Sequence, residues 1–356
     1  MVTHRVRTLV ISDLHLGSAL GRDVLRRPPA LAALTGAVAR VDRLILLGDT
    51  LELLEGRQDE AAAAAEPVLR TLGAALPPEA QVVVVPGNHD HALIRSWLQA
   101  RIAGDRPLRP ATQVPKSASD LLSELCSWLK PARVEVRYPG VWLAPDVYAL
   151  HGHYLDRLLP AALRGRLREK AGSARAAVDD FERAPGSDAG GVSDALAAIL
   201  PDGMGESVES AVGQARRTLL AGLPALATLP GMREAASLAA LVMEQGLHRR
   251  AAIPALDEVA RRLRLRARWV VFGHIHRRGP LPGDPPELWR PRGGDGPRLL
   301  NSGCWVFDSA LAGSASKPPS ERPYRPGGAV LLEPGRNPRA IELLAEVPDE
   351  VLRGRV

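Results

Sequence analysis

An α/β fold assembled from βαβ units is what this 356-residue sequence predicts. Short β-branched runs alternate with Ala- and Leu-rich helical stretches through the first half. Each run breaks off at a turn bearing Gly, Asp, Asn or His. In open α/β sheets, ligands gather in the loops at the carboxyl ends of the strands, where these turns fall.

The elements follow in order. Thr8–Ile11 reads as a strand, followed by a loop carrying Asp13 and His15. Pro28–Val41 reads as a helix with an Ala/Leu face, and Arg43–Leu47 as a strand ending at Gly48-Asp49. Asp59–Leu76 is helical because its alanines have the highest helix propensity. Gln81–Val85 is a valine strand stopped by Pro86-Gly87, with a helix beginning near Asp90. Val147–Leu150 delivers His151, and Trp269–Phe272 delivers His274 and His276.

Between these last two strands the character changes. Leu158–Phe181 and Val208–Leu247 are helical and Ala-rich, and Pro185–Gly205 is a joint rich in Gly, Ser, Asp and Pro. Residues 157–268 are therefore read as an inserted helical cap, with a spacer as the alternative. Residues 1–156 and 269–356 form the core. After Pro280–Pro297, a Pro/Gly/Arg loop, Arg298–Leu300 leads into Asn301-Ser302-Gly303-Cys304-Trp305. Ala329–Leu332 closes the sheet.

Bulk composition excludes little. The chain is 46% hydrophobic and 24% charged, ordinary for a globular protein, and its net charge is +6. The excess is arginine, since only Lys116, Lys130, Lys170 and Lys317 are lysines. Guanidinium suits phosphate oxygens, so an anionic ligand is compatible, but charge alone does not indicate nucleic acid. Cys126 and Cys304 form no CxxC pair or disulfide framework. With no apolar signal core and no run long enough to cross a bilayer, the expected location is the cytoplasm. Contact with a membrane surface stays open, and the sequence is silent on oligomeric state.

Five polar motifs carry the chemistry: Asp13-Leu14-His15, Gly48-Asp49, Gly87-Asn88-His89-Asp90, His151-Gly152-His153 and Gly273-His274-Ile275-His276. All but His4 and His248 of the nine histidines lie in or beside them. Asp, Asn and His form the oxygen and nitrogen set that holds divalent transition metals. A metal pair about 3.5–4 Å apart needs a bridging ligand, and a carboxylate bridges well. Asp49, at a tight turn, is the natural bridge. Asp13 and His15, two residues apart on an extended loop, should point the same way, as should His274 and His276. Asn88 supplies an amide oxygen. His89 should face substrate, with Asp90 orienting its imidazole. His91 and His153 are left without a role.

In this order the motifs resemble those of the calcineurin-like metallophosphoesterase superfamily. The resemblance implies a four-layer αββα sandwich with the insertion added. It also implies that Asp13, His15 and His276 hold one metal, that Asn88, His151 and His274 hold the other, and that Asp49 bridges. A hydroxide between the metals would then attack phosphorus, with His89 stabilising the transition state or protonating the leaving oxygen. Manganese is the first expectation for both ions, with iron, zinc or cobalt as alternatives. Ile11-Ser12-Asp13-Leu14-His15-Leu16-Gly17, Gly48-Asp49-Thr50-Leu51-Glu52 and His151-Gly152-His153 look most like the UDP-2,3-diacylglucosamine pyrophosphohydrolase branch. His89 stands where that branch has arginine, and His153 where it has aspartate.

The expected activity is thus hydrolysis of a phosphodiester or pyrophosphate in a phosphorylated small molecule or lipid. Asn88, His89 and Asn301 are candidate substrate contacts, as are Arg277 and Arg278 by position. A repair-type nuclease is the alternative enzyme. It would want aromatics among Arg249, Arg250, Arg261, Arg262, Arg264 and Arg266, and few are there. Nucleic acid is therefore the less favoured partner. A dead scaffold that only binds partners is less favoured still, because no expected ligand is missing.

Overall fold

The computed structural model describes residues 6–159, 178–183, 251–290, 295–309, 311–313 and 315–354. The expected helices Leu158–Phe181 and Val208–Leu247 and the joint Pro185–Gly205 fall wholly or largely outside these. The chain divides into two compact units. One comprises Met1–His153, Ala177–Asp179 and Arg264–Val356; the other comprises Tyr154–Ala176 and Asp180–Leu263.

The first unit is built on ten strands in one hydrogen-bonded sheet, nine in a single path and one branching from it. In chain order they are β1 (Thr8–Ile11), β2 (Arg43–Leu47), β3 (Gln81–Val85), β4 (Ala111–Val114), β5 (Arg133–Ala144), β6 (Val147–Leu150), β7 (Trp269–Phe272), β8 (Arg298–Asn301), β9 (Gly328–Leu332) and β10 (Arg339–Glu342). Their spatial order is β10-β9-β1-β2-β3-β5-β6-β7-β8, with β4 on the first half of β5. The twelve-residue β5 belongs to both halves of the sheet. Val134–Val136 pairs with β3, while Gly140–Ala144 pairs with β6. The two β layers expected of a sandwich are therefore halves of one sheet, continuous through β5.

Burial explains the doubling. Val10, Ile45, Leu47, Val83 and Val85 of one half share a core with Val141, Leu143, Ala149, Val271 and Leu300 of the other. Their neighbours in the pleat, Leu9, Ile11, Leu44, Leu46, Val82 and Val84, are equally buried. A strand apolar on both faces needs cover on both. The crossover helices α1 (Pro28–Val38) and α2 (Gln58–Ala75) join parallel strands running in one direction. Right-handed crossovers put them on the same face. Asp59 and Glu60 open α2 where the helix dipole favours acids.

The sequence left three strands (β4, β5 and β10) without assignment, along with the helices Asp120–Trp128, Asp349–Arg353 and that of residues 251–262. The helix expected near Asp90 begins later. A 3-10 turn, His91–Leu93, precedes Arg95–Ala103.

In the second unit, the Tyr154 ring stacks on Phe181 at 4.7 Å and its hydroxyl donates to Glu182. Residues 251–262 form a helix burying Ala252, Ala255, Leu256 and Val259. Glu258 pairs there with Arg261 and Arg262. No helix among the described residues is long and apolar enough to cross a membrane.

Candidate metal centre

The carboxyl ends of β1, β2, β3, β6 and β7 supply all five motifs, and the fold brings them together. The loops after β1 and β2 are zipped along their backbones, Asp13 N to Gly48 O at 3.1 Å and His15 N to Asp49 O at 2.8 Å. Across the site, the His274 amide donates to the Asp13 carboxylate at 3.0 Å, tying the β7 loop to the β1 loop.

The expected period-two pointing of Asp13/His15 and His274/His276 is not how these pairs converge. Asp13, His15, Asp49, His274 and His276 all have positive φ, between 44° and 68°. They are five of the eight such non-glycine residues among those described. Left-handed backbone at a non-glycine residue costs on the order of 1–3 kcal/mol and persists where surrounding structure enforces it. Here the turn, not strand alternation, aims each side chain inward. Two motif glycines permit this crowding. A β-carbon at Gly87 would lie 2.3 Å from Asp49 Oδ1, and one at Gly273 would lie 2.5 Å from Asp13 Oδ2.

Two donor groups result. In the first, His276 Nε2 lies 3.3 Å from Asp13 Oδ1 and 3.1 Å from His15 Nε2. In the second, His151 Nε2 lies 3.1 Å from both Asn88 Oδ1 and Asp49 Oδ2, and His274 completes the set. Asp49 Oδ2 is also 3.7 Å from His15 Nε2, so this carboxylate reaches histidines of both groups. Donors at adjacent positions about 2.1 Å from one ion are about 3.0–3.4 Å apart. The spacings within each group match that.

Proton positions follow from the other ring nitrogens. His151 Nδ1 donates to the Leu47 carbonyl at 3.0 Å, so Nε2, facing Asp49, is the nitrogen left for a metal. His15 Nδ1 donates to Glu52 at 2.8 Å, leaving Nε2 facing the first group. Glu52 is the residue that sequence reasoning missed. Its buried carboxylate also takes His89 Nδ1 at 2.8 Å and the amides of Leu54 and Glu55. The available signal was an isolated acid in the apolar run Leu51-Glu52-Leu53-Leu54, three residues past Asp49.

Asp90 does not take the place expected for it beside His89. It turns back to accept Thr50 N at 2.8 Å and Gly87 N at 2.6 Å, clamping the β2 and β3 loops together. Asn301 is likewise displaced from its expected substrate contact. It is fully buried, donating to Gly273 O and accepting from Gly303 N, so both ends of its amide are engaged in turn structure. Arg278 is buried against Glu342, and Arg277 pairs with Asp284 over the Trp289 ring. His91 and His153 flank the buried Tyr138, and the His153 ring lies 5.7 Å from that of His151.

Charge sets the character of the site. Asp13, Asp49, Glu52 and Asp90 are all buried, and among the described residues no lysine or arginine pairs with any of them. Burial works against ionising Asp49, yet the surrounding His151 and His89 hold it well below the ordinary carboxylate range. Burial also opposes a charge on His89 and His151, but Asp49 outweighs it and pushes them up to about 10 and about 9. Asp90, buried and near the Asp49 charge, is pushed up to about 6. Protons gather on these imidazoles because the carboxylates demand positive charge, which divalent cations meet more fully.

The family model for calcineurin-like phosphoesterases matches residues 6–180, which hold the first four motifs. The fifth, at Gly273–His276, lies beyond the match and joins the same site in space. No curated protein matches the chain. Members of this family are hydrolases of phosphoric esters, and the clustered Asp and His side chains fit divalent metal. The chain belongs to the calcineurin-like phosphoesterase superfamily.

Proposed function

We propose that the chain is a two-metal phosphoesterase that hydrolyses a phosphodiester or pyrophosphate bond. One observation carries this reading: the buried carboxylates Asp13 and Asp49, paired with no lysine or arginine among the described residues, lie among imidazole Nε2 atoms at coordination spacing. Asp13, His15 and His276 would hold one ion, Asn88, His151 and His274 the other, and Asp49 both. The mixed oxygen and nitrogen set favours manganese, then iron, zinc or cobalt, over calcium or magnesium.

Bound ions would supply Lewis acidity and lower the pKa of water toward neutrality. The protein's own groups do the rest. Glu52 fixes the His15 tautomer so that Nε2 offers a lone pair. It also receives His89 Nδ1–H, and His89 Nε2 has no protein partner among the described residues. His89 is therefore placed to donate a proton to a leaving oxygen. Asp90 keeps the loops that carry Asp49 and Asn88 in register.

The substrate class is read from the rim. Among the described residues, Leu20 and Leu54 are the exposed large hydrophobics. Their loops adjoin, since a β-carbon at Gly56 would lie 3.7 Å from Ala19 Cβ, and the Leu54 amide bonds the same carboxylate as His89. An apolar rim beside a phosphate site suits a phosphoester carrying a lipid or other apolar group. Residues 157–268 would add a cap over that group. The nuclease alternative loses support because Arg261 and Arg262 are engaged by Glu258. Two free, buried cysteines accord with the cytoplasm. Metal analysis and turnover of bis-p-nitrophenyl phosphate with Mn test the central reading. Two ions per chain and chelator-sensitive turnover are expected; a metal-free, inactive protein overturns it.

A further inference from the structure

Two buried serines outside the donor groups converge on Asp13. Ser12 Oγ contacts Asp13 Oδ2, lies 2.7 Å from Ser302 Oγ and is 3.2 Å from Gly303 O. Ser302 belongs to the turn after β8, which Asn301 braces through Gly273 O and Gly303 N.

Proton accounting gives this contact a direction. A carboxylate only accepts, and a bond to a charged acceptor is the stronger one, so the Ser12 proton goes to Asp13 in preference to the Gly303 carbonyl. Ser12 Oγ is then the acceptor facing the Ser302 hydroxyl at 2.7 Å. That hydroxyl also reaches the Phe272 carbonyl at 3.1 Å, whose other lone pair takes the Ser302 amide at 2.9 Å. The two hydroxyls thus form a relay ending on Asp13 Oδ2, in which the Ser302 link is shared with that carbonyl. The His274 amide is shared between Oδ2 at 3.0 Å and Oδ1 at 3.1 Å, so it does not tell the two apart, whereas Ser12 touches Oδ2. Oδ1, 3.3 Å from His276 Nε2, is the oxygen turned toward the first donor group.

We infer that Ser12, seconded by Ser302, is a positioning residue that occupies Asp13 Oδ2 and so commits Oδ1 to the first metal, giving that ion an affinity set separately from the second. In the second group, Asp49 Oδ1 is held instead by a backbone amide, that of His89. Gly273 leaves the space the relay needs, since a β-carbon there would lie 2.4 Å from Ser12 Oγ. This rests on Asp13 being a metal ligand.

The test reads metal directly. Full-length wild type, Ser12→Ala and Ser302→Ala are stripped of metal and titrated with Mn²⁺ against a competing chelator, with electron paramagnetic resonance at each step. Wild type should bind two ions and show the spectrum of a coupled pair. Ser12→Ala should bind one ion as tightly as wild type and the other about 10–100-fold more weakly, passing through a mononuclear spectrum. Ser302→Ala, which keeps the direct partner of Asp13, should move the same way by less. If wild type binds two ions and Ser12→Ala matches it, or weakens both equally, the inference is overturned. If wild type binds fewer than two, the two-metal reading beneath it fails instead.

Discussion

The two donor groups look alike in composition but are held differently. In the second, His151 is fixed by the carbonyl of Leu47, the last residue of β2. Its tautomer is a property of the sheet, and no side-chain substitution removes that carbonyl. In the first, His15 is fixed by Glu52, and the loop beyond His276 is braced by Arg278 against Glu342. Side chains build this group's orientation, and side chains can undo it. One ion should therefore be robust to mutation around the site and the other sensitive.

The largest expected effect erases the distinction. Asp49→Asn removes the one carboxylate that, among the described residues, reaches both groups. Both ions and nearly all turnover should go, read by metal content and bis-p-nitrophenyl phosphate hydrolysis. A variant that keeps one ion would show that Asp49 serves a single group. His89→Ala comes next, with kcat down about 10²–10⁴-fold and both ions retained. Loss of metal in that variant would make His89 a ligand.

Glu52→Gln tests the comparison itself. Oε1 keeps the Leu54 and Glu55 amides, so the new NH₂ falls opposite His15 Nδ1. That ring must then accept at Nδ1 and carry its proton on Nε2, the atom facing the first group. The first ion should weaken about 10–100-fold while the second is unchanged. Equal weakening of both would break the comparison.

The smallest effect is an acid one. Burial opposes ionisation of Asp349, but Arg322 and Arg325 hold its carboxyl below the ordinary 3.8. Arg325 also pairs with Glu342, the partner of Arg278. A carboxyl depressed in the fold stabilises it fully above the unfolded-state value and loses that contribution as pH falls through the folded value. Hydrogen exchange should therefore rise in residues 349–353, and to a lesser degree in 276–279, only below about pH 4. Asp349→Asn should abolish that step. Exchange rising equally around His151 would remove the asymmetry.

The strands that end in the five motifs were legible because they are written locally. Gln81–Val85 is a valine run closed by Pro86-Gly87, and such a run has few other conformations to adopt. Roles set by what a side chain meets far along the chain were not legible. Asp90 is adjacent to His89 in sequence but serves Thr50, forty residues away, whereas Glu52 serves His89 from thirty-seven. Asn301 stood after a strand like the true site residues, yet both ends of its amide were consumed by Gly273 and Gly303. Spacing also misled about direction. Asp13 and His15 were read as strand-like, and only the backbone angles reveal a left-handed turn at each.

Those five left-handed residues bear on how such a site is kept or lost over generations. Glycine at any of them would relax the turn, recovering on the order of 1 kcal/mol per position. A lineage with no use for the reaction would gain thermal robustness with each ligand it discarded. Each of the five positions thus carries a conformational cost that glycine would not, stability the fold gives up to aim these side chains inward.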